Sequence, residues 1–128
     1  MAEMSNFLEN ALINATLRNT TYTSVATVYV SLWTSDPTDA GSGTEVSGGS
    51  YARTAVTFAA PSNGVTTNSA DVTFPTATAS WGTVGWIGIN DSTSGANLLY
   101  HSPLDTSKTI DSGDIFKIST GNLSVTLA

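Results

Sequence analysis

Three carboxylates, Asp36, Asp39 and Glu45, fall close together in SDPTDAGSGTEVSGGS, a run otherwise rich in Gly, Ser and Thr. Oxygen ligands gathered on a loop are what calcium takes, because a hard cation prefers carboxylate, carbonyl and water oxygens. The spacing fails the EF-hand pattern, and the simpler expectation is a solvated acidic loop whose Asp side chains cap turns. One histidine, His101 in LLYHSPL, makes a Ser-His-Asp arrangement arithmetically possible, but no G-x-S-x-G elbow accompanies it. With no cysteine and a single histidine, zinc and copper sites and thiolate nucleophiles are not expected. GSG and SGG lack the strand-to-helix context in which glycines cradle phosphate. The residues therefore predict no enzyme, no cofactor and no required metal.

Arg53 is one of only four basic residues and stands in TEVSGGSYARTAVTF. Gly48 and Gly49 suit a turn with positive φ. Beyond it Tyr51, Arg53, Ala55 and Thr57 share one strand face, and Ala52, Thr54, Val56 and Phe58 the other. Arg53 is then placed to bridge to a loop carboxylate such as Glu45 or to a neighbouring subunit. Trp33, Trp81 and Trp86, with Tyr22, Tyr29, Tyr51 and Tyr100, could stack sugars. On a β-sandwich such rings more often fill the core or anchor an interface.

These residues need a scaffold, and the composition permits one. The chain has 128 residues, 40% of them hydrophobic and only 11% charged, enough apolar material for one domain with its own core. A net charge of −6 with scattered Arg18, Arg53, Lys108 and Lys117 argues against nucleic acid, whose phosphates demand clustered cations. No apolar run approaches the length of a bilayer span and no basic region leads into one, so neither a membrane segment nor a signal peptide is expected.

In SNFLENALINATLRN the apolar residues Leu8, Ala11, Leu12 and Ala15 recur on one helical face, and Asn6 with Glu9 suggests a capping box, giving a helix at about residues 5–18. After Tyr22 the period changes to two. ATVYVSLWT sets Val28, Val30 and Leu32 against Tyr29, Ser31 and Trp33, a strand with both faces covered. YARTAVTFA, ADVTFP, VGWIGIN, NLLYHS, DIFKIS and LSVTLA supply further strands to residue 127, with PSNG as a turn and DSGD as a hairpin. The expected fold is a single mainly antiparallel β-sandwich or jelly roll over residues 1–128, with one N-terminal α-helix.

The N-terminal helix running into VYVSLWTSDPT, the stretch GTEVSGGSYARTAVTF, and FPTATASWGTVGWIGI with its GDIFKI partner together resemble a family of small bacteriophage structural proteins often labelled tail fibre proteins. The resemblance implies a virion component made in the host cytoplasm, with no catalytic residues to carry over. Small β-sandwich proteins of phages serve as capsid decoration (cement) proteins as well as tail parts. The expectation is a decoration protein on the major capsid protein, with a tail fibre or tail-appendage component, or a carbohydrate-binding receptor-recognition module, as the alternatives. A closed homo-oligomer, a trimer by analogy, is expected, with Leu8, Leu12, Trp33 and Arg53 as contact residues unless they are core.

Overall fold

The structure, a computed structural model, describes residues 2–127. Among the described residues the elements are β1 (Glu3–Met4), α1 (Asn6–Leu17), β2 (Val28–Trp33), β3 (Thr54–Val56), β4 (Val65–Thr67), β5 (Val72–Thr73), β6 (Gly82–Asn90), β7 (Leu98–Ile110), β8 (Lys117–Ile118) and β9 (Ser124–Thr126). The fold is mainly β and antiparallel, a β-sandwich with one N-terminal helix, as the change of period after Tyr22 predicts. Five strands form one sheet in the order β1-β7-β6-β2-β3, while β4 pairs with β9 and β5 with β8.

Register decides what each sheet face buries, because side chains alternate across a strand. Val30 pairs with Ile89, Leu32 with Ile87 and Val28 with Val56, so these apolar residues share one face. Val72, Phe74, Ala77, Trp81, Phe116, Leu123 and Val125 from the short strand pairs and their connections complete the core against it. Tyr51 stacks on Phe74 at 6.3 Å and meets Trp81 edge-on at 5.5 Å, and Phe74 meets Phe116 edge-on at 5.6 Å. Much of the aromatic set is thus core rather than a shared sugar platform.

The short pairs are tied down by one buried amide. Asn68 accepts from the Leu123 N–H and donates Nδ2 to the carbonyls of Ala70 and Ser119. Asn63 and Gly64 both take positive φ in the turn that PSNG predicts, closed by reciprocal Ser62–Val65 backbone bonds. DSGD turns the chain but makes no hairpin. Beyond it β8 leaves β7 and pairs with β5, because the Phe116 side chain belongs to the core that β5 lines.

The helix is capped by Ser5, not by Asn6 as the sequence suggests. Ser5 Oγ accepts from the Leu8 N–H while Ser5 also donates from its hydroxyl to Leu98 O and from its N–H to Leu99 O, which fixes the start of α1 against β7. With the cap at Ser5, Glu9 lies beyond the position a capping box needs.

Candidate functional site on the covered polar face

The second face of the five-stranded sheet carries different chemistry. Tyr29, Ser31 and Trp33 of β2 lie opposite Asn90, Gly88 and Trp86 of β6, and His101 of β7 lies opposite Gly88. Leu8, Trp33, Leu98 and Leu99 are buried here, apart from the principal core. The start of α1 and the loops 34–45 and 91–97 cover this face. Gly88 is needed for that closure, since a Cβ there would come within 2.9 Å of Leu98, Ser31 and Trp33 side-chain atoms.

A relay of hydrogen bonds crosses the face. Trp33 Nε1 donates to Ser31 Oγ at 2.8 Å, and the Ser31 hydroxyl donates to Asn90 Oδ1 at 2.6 Å. Beside it, Arg53 reaches Glu45, one of the two destinations the sequence suggests. Nε donates to Oε2 at 2.9 Å and Nη2 to Oε1 at 2.8 Å, a two-pronged pair. Nη1 donates to the carbonyls of Ser92 and Gly95, so one guanidinium pins two loops. The Tyr51 hydroxyl donates to Glu45 Oε2 at 2.6 Å and accepts from the Leu32 N–H.

The electrostatics follow from this packing. Burial pushes the Glu45 carboxyl up, but the hydrogen bonds from Arg53 and Tyr51 and the Arg53 charge outweigh it and hold the group below its ordinary value. Burial, reinforced by the bond to Glu45, raises the Tyr51 phenol. The bond to Glu45 raises Arg53 further, against burial.

The three carboxylates singled out in the sequence do not converge. Asp36 Oδ1 accepts from the Thr38 N–H in a turn, Glu45 is taken by Arg53, and Asp39 Oδ1 lies 2.7 Å from His101 Nε2. The turn also depends on Gly43, where a Cβ would lie 2.4 Å from Asp36 O. A different set gathers instead. Glu3, Asp39 and His101 each present a ligand atom, all within 4.8 Å of one another, and this is where a metal would find protein ligands. Glu3 comes there because β1 pairs it directly with His101, a two-residue strand too short to leave a sequence signal. In the structure as it stands, the His101–Asp39 contact fastens the loop to β7.

The residues expected at an interface divide. Leu8 is 4% exposed and Trp33 6%, and the Arg53 side chain 7%, so these three are spent inside the protomer. The reason is the covered second face: it needs the helix stripe and the Trp33 indole as its own apolar filling. Leu12 is half-buried, and the residues that do offer surface are Phe7, Ile13 and Leu17 of α1. Sequence reasoning passed over them because they fall outside the Leu8–Ala11–Leu12–Ala15 stripe.

No helix among the described residues is long and apolar enough to cross a membrane. No curated protein matches the chain. Residues 3–126 match the family described as "Podophage GP4 fiber I protein gp80", which takes in the helix, the sandwich and the covered polar face alike. With the match extending over nearly its whole length, the chain belongs to this family of podophage fibre proteins.

Proposed function

We propose that the protein is a structural part of a phage tail fibre and works there as a homo-oligomer, without catalysis. The observation that carries the reading is the family match over residues 3–126, whose description names a fibre protein. That description favours the tail over the capsid-decoration role expected from the sequence, and on this reading we propose other tail proteins as the partners in place of the major capsid protein. Quantitative mass spectrometry of purified virions tests it. A low copy number set by tail symmetry is expected, and a copy number matching the capsid lattice would overturn it.

Self-association is supported by the outer side of α1. Ile13 and Leu17 are 53% and 79% exposed, and with Asn10 and Asn14 they form a strip that carries no formal charge. An amphipathic surface helix turns its polar side outward, so apolar residues on both sides fit a helix that is covered on both sides. In a chain of net charge −6, a neutral apolar strip lets two copies meet without opposing charges. Closed symmetry is the usual outcome for like subunits, and a trimer is the state we assign by analogy with fibre proteins on three-fold axes.

A further inference from the structure

A recess of about 330 Å³ opens on the covered polar face, between the start of α1, the loop around Asp39 and the loop 95–97. That volume lies at the lower end of the roughly 300–1,000 Å³ typical of small-ligand sites. Asn90 lines it and is 2% exposed. The indole of Trp33 can only donate, so it fills an acceptor site of Ser31 and leaves the Ser31 proton for Asn90 Oδ1. This fixes the amide with Nδ2 on the other side, where it has no hydrogen-bond partner among the described residues. Fully enclosed side-chain polar atoms among the described residues are all satisfied, so the unpaired Nδ2 is not fully enclosed, and the open space that Asn90 lines is the recess.

Other groups around the recess are complementary in kind. Arg53 carries five N–H donors and uses four, keeping one on Nη2. Asn97 gives its Nδ2 to Asp91 and keeps Oδ1 as an acceptor, and Asp39 keeps Oδ2. Phe7 contributes an exposed aromatic ring at the rim, and Trp33 forms part of the wall. An anionic ligand would be opposed by Asp39, and a cationic one by Arg53. Hydroxyl groups both donate and accept, and a sugar ring adds an apolar C–H face that suits an aromatic ring. We infer that this recess binds a single neutral sugar residue, as the terminal unit of a surface glycan. The role in recognition rests on the fibre reading, while the binding itself does not.

Saturation-transfer NMR on the purified full chain tests this with D-glucose, D-galactose, D-mannose, L-rhamnose and N-acetyl-D-glucosamine as probes. At least one is expected to receive transfer at its ring protons. Asn90→Asp keeps the acceptor for Ser31 but removes the free donor, and should weaken the binding sugar about tenfold, the scale of one lost hydrogen bond. Phe7→Ala should weaken it as well. If Asn90→Asp does not fold, Asn97→Ala on the loop takes its place, with the same expected loss. No transfer to any of the five probes would overturn the proposal, as would wild-type binding by the folded variants. Virion copy number is blind to this result, so the site and the fibre reading can fail separately.

Discussion

On one face of the five-stranded sheet Val30, Leu32, Ile87 and Ile89 pack against Phe74, Trp81 and Phe116. On the other, a few residues away, Ser31, Asn90, Glu45, Arg53 and His101 are held by directed bonds. The first face needs only apolar volume of the right shape, since burial is non-directional and scales with area. The second holds its neighbours in fixed positions, since a hydrogen bond or ion pair is worth most in one geometry and is costly when half made. The difference is one of purpose: the dry face supplies stability, and the polar face supplies placement of the helix start and two loops.

The largest effect should come from the dry face. Phe74 is almost fully buried and touches two aromatic partners, so Phe74→Ala should cost about 3–5 kcal/mol in chemical denaturation. Arg53→Ala should follow at about 3 kcal/mol, because it leaves Glu45 half-buried without its charge partner and two loop carbonyls without donors. The comparison sharpens in the double variant. Arg53→Ala with Glu45→Gln should cost clearly less than the sum of the two single changes, as groups in one network do not act independently. Additive losses would mean that the two residues stabilise the fold separately.

A pH titration separates the faces next. Glu45 is held below its ordinary value when folded, so the unfolded chain takes up that proton at higher pH. Its contribution is complete above the unfolded carboxylate range and is lost as the pH falls through the folded value. Tyr51 is raised, so its contribution is complete below the ordinary phenol range and is lost as the pH rises from there toward the higher folded value. Melting temperature should therefore fall at both extremes. Glu45→Gln should flatten the acid limb and Tyr51→Phe the alkaline limb, each by about 1 kcal/mol at the extremes. Phe74→Ala should lower the whole curve without changing its shape.

The dry face was readable in the sequence because its signal is periodic. ATVYVSLWT and VGWIGIN announce their strands and inward residues, and the i, i+3, i+4 pattern announces α1. The polar face was only half readable. Tyr29, Ser31 and Trp33 stood out as a covered second face, and Glu45 as a partner for Arg53. The meeting of Glu3 with His101, and of Ser31 with Asn90 across fifty-nine positions, depends on register that no local pattern encodes. β4, in NGVTTNS, is too short and polar to announce itself, and the YARTAVTFA run forms a strand only over Thr54–Val56, with a single further bridge from Phe58 to Asn68, while Arg53 is turned to the loops.

The smallest effect on stability should come from the outer side of α1, and there the readout is association. Leu17 is 79% exposed on the last turn of the helix, and no part of either sheet face depends on it. An exposed surface change usually moves stability by about 0.5 kcal/mol or less, so Leu17→Asp should melt close to the wild type. If the neutral strip joins copies of the chain, the same substitution places an unpaired charge in a contact between acidic subunits, where desolvation and repulsion act together. Sedimentation should then show an oligomer for the wild type and a folded monomer of 13.2 kDa for the variant. Leu12→Asp should instead lose stability, because that side chain is already half-buried within the protomer. A monomeric wild type at high concentration, or an unchanged oligomer in Leu17→Asp, would remove the outer side of α1 from the assembly.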